Sequence, residues 1–153
     1  MIRLSTKGRY GTRLLLNLAQ RYGDGTQSII LKSISEDEDI SIRYLEQIII
    51  PLKLNKLVRS IRGAGGGYAL SRPPDQIRLS EVLRTLEGTC CLVECVDDDN
   101  YCDRRPTCAT HDIWKGATEL LKNYFGNITL QDLVEIQEKK KRKGRDKAKA
   151  KNS

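Results

Sequence analysis

Residues 41–70, SIRYLEQIIIPLKLNKLVRSIRGAGGGYAL, decide the fold of this chain. The first half predicts a helix, because apolar residues recur at i, i+3, i+4 and i+7, namely Leu45, Ile48, Ile49 and Leu52, and form one face. Ser41 is a suitable N-cap for it. The second half predicts a strand over 57–62, a glycine-rich turn, and a return strand from Tyr68. This stretch is therefore a helix followed by a β-hairpin.

Two further helices precede this stretch. Apolar residues at helical spacing predict the first from about Ser5 to Tyr22, capped by Ser5 or Thr6. A turn over 22–25 separates it from a second helix, from about Ser28 to Glu38. Two helices, a turn and a third helix form a helix-turn-helix, and the hairpin that follows forms a wing. The third helix is then the recognition helix, whose first residues reach base edges.

The polar face of the predicted recognition helix carries groups that read bases. Arg43 can pair with guanine and Gln47 with adenine. Glu46 repels phosphate but can accept from cytosine, so we interpret it as a specificity element. Pro51 lacks an N–H, and we expect it to kink or tighten the helix nearby.

The predicted wing has a tip with four glycines in five residues, over 63–67. Arg62 precedes this thin tip, a combination that suits entry into a minor groove. A G-x-G-x-x-G nucleotide-binding loop started at Gly63 would need glycine at Tyr68, so that function is excluded. A purely structural hairpin is the plain alternative.

The positive charge is concentrated at the two ends of the chain. The formal net charge is +7, and residues 139–153 alone carry nine Lys or Arg and one Asp. We predict that this Lys-rich segment is a disordered basic tail that adds non-specific attraction to nucleic acid. Residues 1–22 contain five cations and no acid, and the cations near the first helix start favour a phosphate there.

The length of 153 residues predicts one domain, or one small domain with an appendage. Apolar runs such as 48–50 are too short to cross a bilayer, and no secretory signal is visible. We therefore expect a cytoplasmic protein without a membrane partner. Thiols stay reduced in that compartment, so clustered cysteines there bind metal more often than they form disulfides.

Residues 95–111, CVDDDNYCDRRPTCATH, predict a metal site. Three cysteines and the single histidine are spaced C-x6-C-x5-C-x2-H, and Cys108 and His111 share a helix face if a helix starts near Cys108. An iron–sulfur cluster fits these ligand types, zinc is the competing metal, and no metal is the third possibility. A hydrolytic Cys–His pair is disfavoured because nothing nearby forms an oxyanion hole. We interpret Cys90 and Cys91 as buried or spare thiols.

The C-terminal part predicts three more helices. One is capped by Ser80 and ended by Gly88, and the last begins at a capping box of Thr129 and Asp132. Between them a long amphipathic helix carries an apolar stripe at Ile113, Ala117, Leu120, Leu121 and Tyr124. We expect this stripe to pack against a second subunit, with burial inside one subunit as the alternative.

The chain resembles the IscR-type winged-helix regulators of bacterial iron–sulfur cluster biogenesis. The motifs that carry the resemblance are RLSTKGRYG, ISIRYLEQI, VRSIRGAGGGYAL, C-x6-C-x5-C-A-T-H-D-I-W and NITLQDLV, which together span residues 2 to about 138. The resemblance implies a mostly α fold with a small β-hairpin. Its parts are a winged helix-turn-helix domain over 1–75, a connecting helix, cluster loop and dimerisation helices over 76–138, and the tail over 139–153.

The resemblance also implies a function and its residues. The protein would be a homodimeric regulator, mainly a repressor and not an enzyme, that binds a palindromic operator in double-stranded DNA and one [2Fe–2S] cluster per subunit. The cluster ligands would be Cys95, Cys102, Cys108 and His111. The DNA-binding residues would be Thr6, Lys7, Arg9, Tyr10, Ser41, Arg43, Tyr44, Glu46, Gln47, Ser60, Arg62 and Gly63.

Other functions remain open for this sequence. Nitric-oxide or redox sensors and repressors of cysteine metabolism share the fold, so the signal can differ. A zinc-stapled DNA-binding protein would unfold on chelation. An electron carrier or cluster-delivery protein would cycle between redox states without sequence-specific affinity for DNA, and the wing and recognition helix argue against it.

Overall fold

The structure is mostly helical and contains one β-hairpin, as predicted. The computed structural model describes residues 3–25, 27–89 and 91–151. Within these residues the elements are α1 (Thr6–Gln20), α2 (Leu31–Glu38), α3 (Ile42–Leu54), β1 (Val58–Ile61), β2 (Gly67–Leu70), α4 (Leu79–Glu87), α5 (Glu94–Asp97), α6 (Ala109–Gly126) and α7 (Leu130–Lys151). Two 3-10 turns, Pro74–Gln76 and Arg105–Thr107, join them.

Helices α1 to α3 form the predicted helix-turn-helix. Ser5 caps α1 by accepting from the Gly8 N–H, and Ser41 caps α3 by accepting from the Tyr44 N–H. Asp39 ends α2 in the left-handed conformation (φ 51°), which aspartate tolerates better than most residues. These caps fix the sharp turn between α2 and α3.

The wing is a hairpin with a third strand-like segment beside it. Strands β1 and β2 are antiparallel, with Ser60 opposite Tyr68. Tyr68 also exchanges two 2.8 Å backbone hydrogen bonds with Ile29. Residues 28–30 are therefore extended, and α2 begins at Leu31 rather than near Ser28 as expected.

Glycine is required where these segments meet. A Cβ on Gly67 would lie 2.6 Å from the Ile29 carbonyl oxygen, and Gly67 has φ 153°. At the tip, Gly63 has φ 103° and its carbonyl accepts from the Gly66 N–H at 2.9 Å. Glycine at 67 therefore lets the 28–30 segment lie close to β2, and glycine at 63 lets the chain reverse at the tip.

Pro51 lies inside α3 without ending it. The helix continues to Leu54, and Leu52 is completely buried, so residues beyond Ile50 keep the helical register. The helix is capped at its end by Asn55, whose backbone N–H and side chain both donate to the Pro51 carbonyl at 3.0 Å. Pro51 therefore does not break the helix, and the kink or tightening that we expected there stays a prediction.

One hydrophobic core includes residues from both sides of the boundary expected at 75/76. Buried leucines of α4, such as Leu83 and Leu86, share it with Leu14 of α1 and Leu130 of α7. Gly11 allows α1 and α4 to approach closely, since a Cβ there would overlap the Leu86 side chain. The DNA-binding part is thus packed against the following helices rather than separate from them.

Helix α4 begins two residues earlier than a cap at Ser80 predicts, at Leu79, and Ser80 is not its cap. Its N-cap is Arg78, which makes no side-chain capping bond. The Leu79 N–H instead donates to the Ile128 carbonyl at 2.8 Å. A backbone partner far along the chain therefore sets the helix start, whereas Gly88 (φ 88°) ends the helix as predicted.

Helix α7 begins at the predicted capping box and extends into the Lys-rich segment. Asp132 accepts from the Thr129 N–H and hydroxyl, at 2.7 and 2.8 Å, and its own N–H donates to that hydroxyl. The segment expected to be disordered is helical through Lys151, which agrees with the high helix propensity of Lys, Arg and Ala. Residues 152–153 lie outside the described part. Among the helices described, none is long and apolar enough to cross a membrane.

Candidate nucleic-acid interface and metal centre

The outer face of α3 carries the predicted base-reading residues. Arg43, Glu46 and Gln47 are exposed, while the opposite face of α3 is buried in the core. Ser41, at the start of the helix, is exposed as well. The structure therefore presents the first two turns of α3 to solvent as one polar surface.

Two tyrosines join α1 to α3 behind this surface. The rings of Tyr10 and Tyr44 meet edge to face with centroids 5.7 Å apart, and both are half-buried. The guanidinium groups of Arg9 and Arg13 lie 5.9 and 5.6 Å from the Tyr10 ring centroid. Such edge-to-face pairs stabilise packing beyond their buried area. Both tyrosines, expected at the DNA, thus also fix the angle between two helices.

The arginines of this half divide into paired and unpaired groups. Arg13 pairs with Glu38 and Arg21 with Asp37, which ties α1 to α2. Arg43 and Arg62, in contrast, form no ion pair with any described residue and are exposed. Among the described residues, the arginines without an acidic partner therefore include the two that the sequence assigned to bases and the wing, together with Arg9 and Arg59.

The start of α1 combines backbone donors with basic side chains. Thr6 and Arg9 are exposed and Lys7 is half-buried, and Thr6 Oγ1 accepts from Arg9 Nη2 at 3.3 Å. The Glu87 carboxylate lies at the same helix end, where it accepts from Ser5. A negative charge beside the free N–H groups of a helix start is stabilising. An incoming phosphate would therefore meet these cations beside an existing carboxylate, which no local pattern near residue 6 predicts.

The wing lies beside the recognition helix. The Lys53 ammonium of α3 lies 5.9 Å from the ring centroid of Tyr68 in β2. Ser60, Arg62 and Gly63 are all exposed, Ser60 within β1 and the other two after it. The outer face of α3 and the wing therefore flank a common cleft, which includes Glu46 and Tyr68.

The four predicted metal ligands lie on the segment between α4 and α6. Cys95 belongs to the short helix α5, Cys102 to a loop, Cys108 to the N-cap position of α6, and His111 to its first turn. The three cysteines are half-buried free thiols, and His111 is buried. Cys102 and His111 line one open cleft together with three acidic residues, Asp99, Asp103 and Asp112.

The environment of Cys108 favours its thiolate. The Thr110 hydroxyl lies 3.2 Å from the sulfur. This hydrogen bond first, and then one from the His111 backbone N–H, hold the pKa of the Cys108 thiol below its ordinary value. The start of a helix also stabilises a thiolate. Cys108 is therefore the member of the set best prepared to bind a metal.

A metal centre is not assembled in this arrangement. Among the described residues, no group of three or more Cys, His, Asp or Glu side chains lies close enough together to hold a metal ion. The donors fit a thiolate-bound metal by chemical type, but their positions do not meet at one point. Any metal bound by all four would require the 95–108 segment to rearrange.

Cys91 occupies a separate environment from the four. Its thiol lies 3.2 Å from Asp97 Oδ1, which also accepts from the Thr89 hydroxyl at 2.9 Å. These two hydrogen bonds, Cys91 first, lower the pKa of Asp97. Cys91 is half-buried, its interpretation as a buried or spare thiol stays a prediction, and Cys90 lies outside the described residues.

Helix α6 leaves its predicted apolar stripe largely uncovered. Ile113 is 65% exposed, Leu120 72% and Tyr124 65%, although isoleucine and leucine are usually buried. The buried side of the same helix holds His111 and Thr118 instead. The other two members of the stripe are half-buried. The described chain therefore covers the stripe only in part, and its packing against a second subunit stays a prediction.

Comparison with known proteins defines the group to which this fold belongs. The family model described as "Rrf2: Iron-dependent Transcriptional regulator" matches residues 4–136. The chain belongs to the Rrf2 family. The transcriptional regulator CymR of Bacillus subtilis is 39% identical over 133 residues, which cover 87% of this chain and 90% of that protein.

Solved Rrf2 regulators share the architecture. The structure of CymR, titled the global cysteine regulator of B. subtilis, matches with a TM-score of 0.75 at 37% identity, covering 89% of this chain and 98% of that one. T. potens IscR matches with a TM-score of 0.73 at 34% identity, covering 89% and 88%. The resemblance to IscR-type winged-helix regulators is confirmed, and this protein is a transcriptional regulator of the Rrf2 family that binds DNA.

Two residues of this Rrf2 surface were missed by the sequence argument. Glu87 was passed over because its partner, Ser5, is 82 positions away. Ile50 was counted among the apolar run 48–50, although it lies outside the i, i+3, i+4, i+7 face that we assigned to the core. The helical spacing alone could have identified Ile50. Glu87 is revealed only by the packing of α4 against α1.

Proposed function

We propose that this Rrf2 protein is a homodimeric repressor of iron–sulfur cluster biogenesis genes, which binds a palindromic operator and responds to a [2Fe–2S] cluster on the 95–111 segment. It would act in the cytoplasm. The observation that carries the DNA-binding part is the exposed row Arg43, Glu46 and Gln47, held in place by the Tyr10–Tyr44 contact. The donor set of three thiols and one imidazole carries the sensing part.

The α6 stripe supports the homodimer. Ile113, Leu120 and Tyr124 recur at i, i+7 and i+11, the spacing of one helix face that packs along a second helix. A two-fold dimer would present two copies of α3 to two half-sites. Replacing Leu120 with Asp should shift the protein toward monomer in sedimentation experiments, whereas Glu119→Asp on the same helix should leave its mass unchanged.

The residues that would hold the cluster are Cys95, Cys102, Cys108 and His111. A bound [2Fe–2S] group would supply a redox-sensitive signal. The chain itself supplies a Cys108 thiol with a lowered pKa and a cleft shared by Cys102 and His111. The 95–108 segment would have to move to bring the thiols together. This segment directly precedes α6, the proposed dimer helix, so its movement would reach that helix.

An anaerobic absorption spectrum with iron, sulfide and zinc analysis tests the sensing part. A coloured protein with matching iron and sulfide would support it, and the contents should fall in Cys102→Ala. Cys91→Ala is the matched control, because Cys91 bonds to Asp97 and lies outside the donor set. A colourless protein with stoichiometric zinc would refute the cluster and leave DNA binding intact.

Regulation by another signal is the second candidate. The relative titled a global cysteine regulator matches this chain as well as the IscR structure does. In that case the thiols would bind no metal, and operator affinity would not change between anaerobically purified protein and chelator-treated protein. The same DNA-binding assay, run with both preparations, separates the two.

A further inference from the structure

Ile50 lies on the base-reading face of α3 although its side chain has no polar group. It is 58% exposed. It follows Glu46 by four residues and Gln47 by three, so it continues the same row along the helix. The core makes no use of it, since the buried face of α3 is complete with Leu45, Ile48, Ile49 and Leu52.

The surroundings of Ile50 form a cleft between α3 and the wing. Its other walls are Glu46, Ile49, Lys53, Leu54 and Tyr68. The Lys53 ammonium lies over the Tyr68 ring, toward the wing side. The apolar side chain of Ile50 is therefore flanked by the Glu46 carboxylate on one side and the Lys53 ammonium on the other. This arrangement suits a position in a DNA groove, between the two phosphate strands.

We propose that Ile50 reads a thymine, by contact of its side chain with the C5-methyl group in the major groove. Thymine is the only unmodified base that presents a methyl group there, and an isoleucine offers no hydrogen bond to any other base edge. Ile50 then specifies a base pair next to those read by Gln47 and Glu46. This inference rests on the proposed role of α3 in reading the operator.

The alternative occupant of this cleft is a second copy of the chain. An exposed apolar residue can also serve a protein contact. If a second copy occupies the cleft, replacing Ile50 should change the oligomeric state of the protein and not its preference for one base. The two outcomes are distinguishable with a probe that removes only a methyl group.

The test uses the full-length protein and a duplex selected from a random-sequence library for tight binding. Each thymine of that duplex is replaced singly by deoxyuridine, which lacks the methyl group. We expect one thymine per half-site at which the replacement weakens binding about fourfold, the loss for one buried methyl group. Ile50→Ala should bind the thymine duplex equally weakly and show no further loss with deoxyuridine.

Ile136→Ala is the matched control, since Ile136 is also an exposed isoleucine, at 47%, but lies on α7 and is not part of the cleft between α3 and the wing. It should keep the full deoxyuridine effect. The inference is overturned if no thymine is sensitive, if Ile50→Ala keeps the sensitivity, or if Ile50→Ala changes the oligomeric state instead.

Two further variants separate this inference from the proposed function. If Arg43→Ala and Gln47→Ala leave affinity and base preference unchanged, α3 does not read the operator and both proposals fail. If they weaken binding while Ile50→Ala remains sensitive to deoxyuridine, only the assignment of Ile50 fails.

Discussion

The carboxylate of Glu87 accepts two hydrogen bonds from Ser5, one from the hydroxyl at 2.6 Å and one from the backbone N–H at 3.2 Å. Ser5 in turn caps α1 by accepting from the Gly8 N–H at 3.0 Å. The last residue of α4 is therefore bonded to the cap of α1. Gly8 completes the contact, because a Cβ there would overlap Glu87 Oε1.

The first prediction concerns this contact. Glu87→Ala should lower the free energy of unfolding by about 1 kcal/mol, the typical contribution of such hydrogen bonds. Gly8→Ala should be close to neutral by itself, because its methyl group displaces the Glu87 carboxylate while alanine favours the helix by about 1 kcal/mol over glycine. Since both changes break the same bonds, the double variant should be more stable in urea unfolding than the sum of the two single effects predicts. Strict additivity would show that the two residues act independently.

The second prediction concerns the wing. Gly67→Ala should destabilise the protein by about 2 kcal/mol or more, since its Cβ would lie 2.6 Å from the Ile29 carbonyl oxygen and neither backbone can move away freely. Gly65→Ala is the matched control, because a Cβ there meets nothing within 4 Å. Thermal unfolding of the two variants measures the difference. Equal melting temperatures would contradict the described packing of Ile29 on the hairpin.

The third prediction concerns the capping box of α7. Hydrogen bonds from the Thr129 backbone first, and then from its hydroxyl, lower the pKa of Asp132. A lowered folded-state pKa stabilises the protein above the unfolded pKa, and this contribution is lost as the pH falls through the folded value. Asp132→Asn should therefore cost about 1 kcal/mol at neutral pH and progressively less below about pH 4.

The measurement for Asp132 is urea unfolding at several pH values. Glu135→Gln, an exposed acid in the same helix, should show no such pH-dependent cost. A cost for Asp132→Asn that stays constant into acid would mean that its charged form makes no special contribution.

The fourth prediction concerns operator choice. Glu46→Gln should widen the range of operators bound by the metal-free protein, because it removes a carboxylate that repels phosphate and rejects most bases. The change in discrimination should be about 1–3 kcal/mol at one base pair. Glu36→Gln removes an exposed acid from α2 and should change no base preference. Identical preferences of the Glu46 variant and the unaltered protein in a competition assay would exclude this role.

Local signals in the sequence were sufficient for much of the fold. Caps at Ser41 and Thr129 and the glycine stop at Gly88 lie where the residue types predict them. Each of these features depends on neighbours within a few positions, and such neighbours are visible in the chain itself.

Features that depend on distant partners escaped prediction. Ile29 is extended because Tyr68 pairs with it, and α4 starts at Leu79 because the Ile128 carbonyl accepts its N–H. Neither partner can be found from local propensity. The spacing of the cysteines likewise identified candidate donors but not their positions, because a loop rich in polar residues has no periodicity from which its path follows.

The continuous core across residues 75 and 76 has a practical consequence for engineering. A chimaera that exchanges the sensing half of this regulator for another would be cut most naturally after the wing, but that junction would separate Leu83 and Leu86 from the leucines of α1 that they cover. The exposed segment after Gly88 is a better junction, since it keeps α4 with the helices that it packs against. A junction there would still separate α1 from α7, which contact each other. The donor protein must therefore supply a last helix that can pack against α1.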